Sequence, residues 1–217
     1  MKNSTQQRFS IQEEKPVDWF EPLYAGSNKA GDGVPWATMD THPSFKRWLA
    51  KNPLVGAAKT ALVVGCGMGD DAIALERLGF DVTAFDVSHT AIKLCKERFA
   101  QSKVNFVQAD LLHSQGQWAH QFDFVLEIYT VQALPPKYER QLIESIAGFV
   151  ADSGKLLVIA EVSNHPRHFA NGPPWLLTPH HIDTFVSHGL SLKNTDIDGT
   201  QTYVTVFEGA RQKDAAI

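Results

Sequence analysis

Short apolar runs alternate with amphipathic segments along most of the chain. Residues 61–64 form an unbroken apolar run with two valines, which is typical of a strand buried on both faces of a parallel sheet. Apolar residues then recur at helical spacing over 72–78. Further strands are predicted over 81–85, 104–107, 122–127 and 155–161. This alternation predicts right-handed crossovers and a doubly wound α/β sheet that binds ligands at the carboxyl ends of its strands.

Three glycines, Gly65, Gly67 and Gly69, join the first predicted strand to the first predicted helix. Alternate glycines let a ligand approach the backbone, and the start of the helix offers free amide groups. A dinucleotide fingerprint needs a third small residue where this chain has Asp70, whose carboxylate would face the phosphates of NAD. Asp70 and Asp71 instead suit a cationic ligand without phosphate, such as S-adenosylmethionine.

With this loop the chain resembles the class I S-adenosylmethionine-dependent methyltransferases. Their loop usually reads acid-x-Gly-x-Gly-x-Gly, and Val63 stands where the acid is expected. The resemblance implies a Rossmann-like, seven-stranded, mostly parallel sheet with S-adenosylmethionine bound against the glycines and Cys66. Because the usual acid is absent, Asp71 is our candidate for holding the methionine amino group.

Asp86 ends the second predicted strand, 21 residues after Gly65. This is close to the ~20 residues at which an acid at a strand tip reaches a ribose hydroxyl in nucleotide-binding folds. A role as helix cap is better met by Ser88, which precedes the next apolar helix pattern. We therefore predict that Asp86, with its neighbour Val87, contacts the ribose.

Asp110 follows the third predicted strand, in the segment Gln108-Ala-Asp-Leu-Leu. The methyltransferase resemblance implies that the Asp110 carboxylate accepts a hydrogen bond from the adenine amine and that Leu111 covers the ring, with Leu112 beside it. A plain loop aspartate is also common after a strand. The position of Asp110 in the order of motifs is what favours the cofactor role.

Aromatic residues are concentrated before the first core strand. Trp19, Phe45 and Trp48 are interpreted as packing residues that cover the end of the sheet. Tyr24 and the pair Pro35-Trp36 are similar to a Tyr and a Pro-Trp that precede the glycine loop in thiopurine S-methyltransferases and tellurite-resistance methyltransferases. That resemblance implies that Tyr24 and Trp36 enclose the methionine part of the cofactor, with core or lid packing as the alternative.

The fourth predicted strand ends in Glu127-Ile128-Tyr129. Enzymes that methylate exocyclic amines of bases resemble one another in an Asn/Asp-Pro-Pro-Tyr/Phe motif here, and this chain lacks it. Glu127 and Ile128 are predicted cofactor contacts, and Tyr129 is a predicted hydrogen-bond partner of the methyl acceptor. A capping glutamate and a packed tyrosine are the alternatives.

A stiff loop with three prolines is predicted over 163–178, just past the fifth strand. Its Gly-Pro-Pro-Trp175 segment is similar to one in thiopurine, thiol and halide methyltransferases, so we expect the acceptor near Trp36, Tyr129 and Trp175. His168 is a candidate base. We predict no metal site, because His165 and His168 are loosely spaced and adjacent His180 and His181 point apart on a helix. That helix is predicted to begin at Thr178-Pro179, with Thr178 as its cap and proline in the first turn.

Length and composition predict a single soluble domain over 1–217, made of an N-terminal cap over 1–50, a core over 58–208 closed by an antiparallel hairpin, and a tail over 209–217. Residues 1–15 have no periodicity and are expected to be loose. The net charge of -4 favours no nucleic-acid partner, and two cysteines indicate a reducing compartment. No membrane segment and no secretory signal are recognisable, so we expect a cytoplasmic protein that is a monomer or weak dimer.

The predicted function is methyl transfer from S-adenosylmethionine to a small-molecule acceptor, with a thiol or another soft nucleophile as the first candidate. A thiol has a pKa near ~8.5, so some thiolate exists at neutral pH without a strong protein base. Two alternatives remain open at this point. One is O- or N-methylation of another metabolite, and the other is a non-catalytic module that binds the cofactor.

Overall fold

The computed structural model describes residues 11–113 and 115–210. Within them, the strands are β1 (Thr60–Val64), β2 (Asp81–Asp86), β3 (Asn105–Gln108), β4 (Phe122–Ile128), β5 (Val150–Glu161), β6 (Leu190–Asp198) and β7 (Thr202–Gly209). They form one sheet with the order β3-β2-β1-β4-β5-β7-β6. The five strands β1 to β5 are parallel to one another, whereas β7 is antiparallel to both β5 and β6. The predicted fold, mostly parallel with an antiparallel hairpin at its end, is confirmed.

Helices cover both faces of this sheet because successive residues of β1 point to opposite sides. The helices are α1 (Phe20–Ala25), α2 (Pro43–Lys51), α3 (Asp70–Arg77), α4 (His89–Arg98), α5 (Glu139–Phe149) and α6 (His180–Ser187). Leu62 and Val64 pack in a core cluster that includes residues of α1, α5 and α6, whereas Ala61 and Val63 pack in a second cluster that includes residues of α2 and α3. Short 3-10 turns span Gly116–Trp118, Val131–Ala133, Pro136–Tyr138 and Phe169–Asn171.

The predicted capping residue is confirmed for one helix and is wrong for another. The Ser88 hydroxyl caps α4 as predicted, since it accepts a hydrogen bond from the Ala91 amide at 3.0 Å. The predicted side-chain cap by Thr178 is wrong, because α6 has no side-chain cap and Pro179 is already in helical conformation before its first residue. Thr178 instead accepts, through its backbone carbonyl, a hydrogen bond from the His181 amide at 3.1 Å.

The predicted loose segment over 1–15 is ordered where the structure describes it. Ile11 is buried in the core cluster, and Gln12 forms a bridge with Lys15. The rest of that segment and residues 211–217 of the predicted tail lie outside the described residues. Gly209, placed in the tail by the sequence, ends β7 and pairs with Leu190. None of the helices in the described part of the chain has the length and apolarity to cross a bilayer.

The strand order reverses between β1 and β4. From β1 the chain builds outward through β2 and β3, and from β4 it builds outward through β5. Loops at the carboxyl ends of β1 and β4 therefore leave in opposite directions and open a crevice between them. This is the place where open α/β sheets bind ligands.

Candidate functional site

A cavity of about 510 Å³ opens at the carboxyl ends of the parallel strands, beneath residues of the N-terminal cap. Its size is within the range of small-molecule sites. Most of the predicted site residues line it: Tyr24, Trp36, Gly65, Cys66, Gly67, Gly69, Asp71, Asp86, Val87, Asp110, Leu111, Ile128 and Tyr129. Four predicted residues are not in its lining: Leu112, Glu127, His168 and Trp175.

The glycine loop is shaped by segments that approach it from outside. Gly65 has a φ of +60°, and a Cβ there would lie 2.5 Å from Thr130 Oγ1, in the turn after β4. The Thr130 hydroxyl donates to the Val64 carbonyl at 3.0 Å, which joins the ends of β4 and β1. At Gly67, with a φ of +53°, a Cβ would lie 3.1 Å from the Tyr24 hydroxyl of the cap. Side chains at these positions would fill the crevice and strain the backbone.

Tyr24 and Trp36 form a hydrogen-bonded pair over this loop. The indole Nε1 of Trp36 donates to the Tyr24 hydroxyl at 3.0 Å, and the two rings meet edge to face. Tyr24 is buried, whereas Trp36 is 37% exposed and forms part of the cavity rim. Burial and the charge of Asp86 hold the pKa of Tyr24 well above its usual value. The hydroxyl therefore stays protonated, and it has a hydrogen to donate while it accepts from the indole.

Asp86 lies at the tip of β2 on the cavity floor. Its Oδ2 accepts a hydrogen bond from the Gly67 amide at 3.0 Å, and its Oδ1 accepts one from the Ser88 amide at 2.9 Å. Burial raises the pKa of Asp86 to about 6 although these bonds favour the charged form. Each carboxylate oxygen keeps a second lone pair, which suits the carboxylate to two neighbouring hydroxyls.

Glu21 ties helix α1 of the cap to the start of α4. Its Oε2 accepts hydrogen bonds from the Ser88 hydroxyl at 2.6 Å and the Thr90 amide at 3.1 Å, and its Oε1 accepts one from the Thr90 hydroxyl at 2.6 Å. Burial raises the pKa of Glu21, but the hydrogen bonds from Ser88 and Thr90 lower it by more, so that the net direction is downward. The cap is therefore fixed close to Asp86 by hydrogen bonds to the charged carboxylate of Glu21.

The two acids after the glycine loop have different roles. Asp70 forms a two-pronged ion pair with Arg98 of α4, both distances being 2.8 Å, so its charge is already compensated. Asp70 lines the cavity, but this pairing makes it less attractive to a cationic ligand than a free carboxylate would be. Asp71 accepts a hydrogen bond from the His42 amide at 2.8 Å, and burial raises the pKa of its carboxyl to about 7. Asp71 thus lines the cavity while it also holds the cap segment around His42.

Asp110 and Leu111 line the cavity after β3, at the edge farthest from β4. The Asp110 Oδ1 accepts a hydrogen bond from the Leu112 amide at 2.9 Å, and its Oδ2 lies 2.9 Å from His113 Nδ1. Leu111 is buried and presents an apolar surface. Leu112, which the sequence placed at the cofactor, lies outside the lining, and its carbonyl accepts from Gln141 Nε2 at 2.8 Å. The turn directs only one of the two leucines into the cavity.

Cys66 and Val87 complete the floor between the loop and β2. The Cys66 amide donates to the Phe85 carbonyl at 2.8 Å, which fixes the loop against the neighbouring strand. A hydrogen bond with the Cys95 thiol and burial raise the pKa of the Cys66 thiol well above its usual value. It is therefore a protonated packing group at neutral pH and a poor nucleophile.

Glu127 caps a turn behind the cavity. Its Oε1 accepts hydrogen bonds from the amides of Thr130 at 2.6 Å and Val131 at 3.0 Å, and its Oε2 is buried without a hydrogen-bond partner in the described chain. Burial raises the pKa of Glu127 to about 7. We therefore interpret Glu127 as the cap of the 3-10 turn that follows β4, and not as a cofactor contact. A capping glutamate is one of the two roles that the sequence allows at this position.

The mutation Glu127→Gln is expected to flatten the pH dependence of stability. Burial raises the pKa of Glu127 from 4.5 to about 7 on folding, so the stability it contributes is fully present below about pH 4.5 and is lost as the pH rises through about 7. Between about pH 5 and about pH 8, ionisation of Glu127 should lower the free energy of unfolding of the wild type by an amount on the order of 2 kcal/mol, and the variant should lack this contribution. Urea unfolding at both pH values measures it.

Glu144→Gln provides the control, because Glu144 is exposed on helix α5. It should leave the pH dependence of the free energy of unfolding as it is in the wild type. An unchanged pH dependence in Glu127→Gln would contradict the assigned titration of Glu127.

Tyr129 is held in a strained conformation at the tip of β4. Its φ is +61°, which is uncommon for a residue other than glycine and is often found at functional sites. Its ring lies edge-on against His42, with ring centroids 5.1 Å apart. Burial raises the pKa of Tyr129, with a hydrogen bond to Thr202 acting in the opposite direction. Tyr129 thus enters the cavity as a neutral phenol.

His168 and Trp175 do not line the cavity, although the sequence placed both near the acceptor. His168 is exposed, so the structure does not support it as a base at the cavity. Trp175 is buried, and its indole Nε1 donates to the Phe169 carbonyl at 3.0 Å. The amide of Trp175 donates to the Gln132 carbonyl at 2.7 Å, so Trp175 anchors the loop while Pro173 and Pro174 line the cavity.

Sequence reasoning missed Glu161, Gln132 and His42. Glu161 ends β5 and lines the cavity beside the turn after β4. Its position at the carboxyl end of a parallel strand was a usable signal. Gln132 is buried, and its Oε1 accepts from the Glu161 amide at 2.8 Å. The sequence around His42 carries no comparable signal, because its place depends on how the cap folds back.

Part of the sequence matches a known family, and the fold matches solved structures. A family model described as a methyltransferase domain matches residues 61–154. No curated protein matches the sequence. The fold is similar to that of a protein described in work on the conversion of a disulfide bond into a thioacetal group during echinomycin biosynthesis, with a TM-score of 0.73, 18% identity, and 92% of this chain and 93% of that chain covered.

Two further solved structures have the same fold. Magnesium protoporphyrin IX methyltransferase from Synechocystis PCC 6803, with bound S-adenosylmethionine, has a TM-score of 0.58 at 19% identity over 77% of this chain and 77% of that chain. 1,6-Didemethyltoxoflavin-N1-methyltransferase from Burkholderia thailandensis has a TM-score of 0.61 at 16% identity over 78% of this chain and 77% of that chain. Residues 61–154 thus match a methyltransferase domain, and the fold around them is shared with these solved methyltransferases.

Proposed function

We propose that the enzyme transfers the methyl group of S-adenosylmethionine to a small-molecule acceptor, with a thiol or another soft nucleophile as the first candidate. The observation that carries the proposal is the continuity of the cavity. One half is formed by the glycine loop, Asp86 and Asp110, and the other half by Tyr129, Glu161 and the loop prolines. A donor and an acceptor therefore have room side by side at the point where the strand order reverses.

The charges of the cavity fit the proposed cofactor. Within the described residues, its lining includes carboxylates such as Asp71 and Asp86 but no lysine or arginine. A pyrophosphate would have no cationic side chain to meet it, whereas an ammonium and a sulfonium meet negative charge. The two free acceptor positions of Asp86 suit a ribose, and buried Leu111 suits an apolar ring.

The bound cofactor supplies a methyl group already activated by the positive sulfur, so the protein's part is alignment and exclusion of water. Asp86 would hold the ribose hydroxyls, and the Tyr24 hydroxyl would have a hydrogen to donate to the cofactor. Trp36 covers the open side of the same half. Tyr129 and the turn after β4 line the other half of the cavity, where they would hold the acceptor.

The preference for a soft nucleophile is supported by chemistry and by sequence. A thiol needs no strong base at neutral pH, and Cys66 is no rival for the methyl group because its thiol stays protonated. The Gly-Pro-Pro-Trp175 segment resembles that of the thiol-handling branch, and its prolines line the cavity. Among proteins of similar fold, the work on one concerns sulfur chemistry and another is named as a nitrogen methyltransferase, so the fold itself accommodates both.

Methylation of an oxygen or nitrogen is the second candidate, and Glu161 is the observation that favours it. This carboxylate lies at the cavity, and its charge contributes to the raised pKa of Tyr129. A carboxylate beside an acceptor hydroxyl or amine can accept the proton that is lost on methylation. Glu161 replaces His168 as the candidate base for this reaction.

The function is tested with the purified full chain in two steps. Calorimetry should show binding of S-adenosylmethionine and S-adenosylhomocysteine. A panel of thiols, phenols and amines with labelled S-adenosylmethionine should then give a methylated product, with thiols reacting fastest. Binding without product across the whole panel would favour the non-catalytic module, and faster reaction of phenols or amines would favour the second candidate.

A further inference from the structure

We propose that Glu161 makes the enzyme select acceptors by charge, so that it accepts neutral or cationic molecules with an apolar body and rejects anions. The inference rests on the proposed function, because it concerns the acceptor half of the same cavity. It does not depend on which atom of the acceptor is methylated. The positive sulfur of the cofactor offsets charge at the reacting atom, and only charges elsewhere on the acceptor are selected.

The acceptor half combines apolar walls with the carboxylate of Glu161. Leu134, Pro173 and Pro174 line it with apolar side chains, and Glu161 lies at the end of β5. Such a surface fits a molecule with an aliphatic or aromatic body and a polar group at one end.

The Glu161 backbone is fixed on both sides. Its amide donates to Gln132 Oε1 at 2.8 Å, and its carbonyl accepts from the Leu177 amide at 3.0 Å. The next residue, Val162, donates its amide to the Gln201 carbonyl at 2.8 Å. The carboxylate therefore projects from a rigid strand end and cannot retreat by movement of the main chain.

Three cationic side chains around the cavity are paired with carboxylates other than Glu161. Lys46 pairs with Asp40, and Arg47 with Asp198, both in short contacts. Arg98 pairs with Asp70 at 2.8 Å. Between residues 11 and 210, with residue 114 left aside, no ion pair is formed by Glu161. An anionic acceptor would find no counter-charge in the lining.

The polar side chains of His42, Tyr129 and Gln132, which line the cavity with Glu161, add no positive charge. Burial lowers the pKa of His42, which favours its neutral form. Tyr129 is a neutral phenol, and Gln132 is an amide. Transfer of an acceptor carboxylate from water to this place therefore costs desolvation and adds repulsion from Glu161, whereas an ammonium gains attraction.

The test uses full-length protein saturated with S-adenosylhomocysteine and three probes of similar shape: benzylamine, benzyl alcohol and benzoate. Calorimetry or ligand-observed NMR measures binding without any need for turnover. We expect benzylamine to bind at least about tenfold more tightly than benzoate, with benzyl alcohol between them. In Glu161→Gln the ratio of benzylamine to benzoate affinity should shrink at least about fivefold, and in Glu161→Lys the order should invert.

Glu144→Gln is the matched control, because it removes the same charge from exposed helix α5 away from the cavity. It should leave the probe ratio unchanged, and Glu161→Gln should keep the affinity for S-adenosylhomocysteine. Equal affinities of benzylamine and benzoate, no measurable binding of benzylamine, or a Glu161→Gln ratio equal to that of the wild type would overturn the inference alone. Failure of S-adenosylhomocysteine to bind would instead overturn the proposed function and this inference with it.

Discussion

Asp86→Ala is expected to weaken binding of S-adenosylhomocysteine by about 100-fold, because it removes charge-assisted hydrogen bonds worth about 3 kcal/mol to the ribose. It also leaves the amides of Gly67 and Ser88 without the acceptor that holds the loop against β2. Titration calorimetry measures the dissociation constant, and circular dichroism confirms that the variant is folded.

Two further variants separate the charge of Asp86 from its shape. Asp86→Asn keeps an acceptor for only one of the two backbone amides, so it should be less stable than the wild type but more stable than Asp86→Ala, and it should still bind weakly. Because burial raises the pKa of Asp86 to about 6, wild-type affinity should rise between about pH 5 and about pH 7 as the carboxylate ionises, and the asparagine variant should lose this rise. Asp81→Asn, at the exposed start of the same strand, is the control. Wild-type affinity in Asp86→Asn at neutral pH would rule out the ribose contact.

Gly65→Ala is expected to abolish measurable cofactor binding and to lower the free energy of unfolding by about 3 kcal/mol. About 1–2 kcal/mol comes from a left-handed residue that now carries a side chain, and the rest from overpacking. The new Cβ would lie 2.5 Å from Thr130 Oγ1, and the displaced hydroxyl would release the Val64 carbonyl. Calorimetry and urea unfolding measure the two effects.

The double variant Gly65→Ala/Thr130→Ala tests the cause of that loss. Removal of the Thr130 hydroxyl should recover the overpacking part of the stability loss and leave the left-handed strain. Gly148→Ala is the matched control, because that helical glycine has open space around its position. It should be neutral or stabilising by up to about 1 kcal/mol. Equal effects of Gly65→Ala and Gly148→Ala would contradict the steric account.

The sequence was sufficient for features that depend on neighbouring residues and on the direction of strands. Alternation of apolar runs predicted the doubly wound sheet, and the strand-end rule led to Asp86. The resemblance in short motifs led to Tyr24 and Trp36, which the structure brings to the glycine loop. In each case, a local pattern implies a place in the fold without reference to distant contacts.

The residues whose roles were mispredicted or only partly predicted depend on contacts between distant segments. Asp70 meets Arg98 across 28 positions, and Asp71 holds the cap segment at His42 across 29 positions. Trp175 lies inside the loop because its amide and indole find partners in other turns. Such pairings leave no periodic trace in the chain, so an acid or a tryptophan that anchors structure looks the same in the sequence as one that binds a ligand.

The cavity draws its walls from outside the segment that matches the family model. Residues 61–154 supply the floor, whereas Tyr24 and Trp36 come from before that segment and Glu161 and Pro173 from after it. A recombinant fragment trimmed to the matched segment would thus expose the floor and lose both flanks. Conversely, a chimera could combine residues 61–154 of this chain with the preceding and following segments of a relative. It should have that relative's acceptor preference and keep the nucleoside contacts of Asp86 and Asp110.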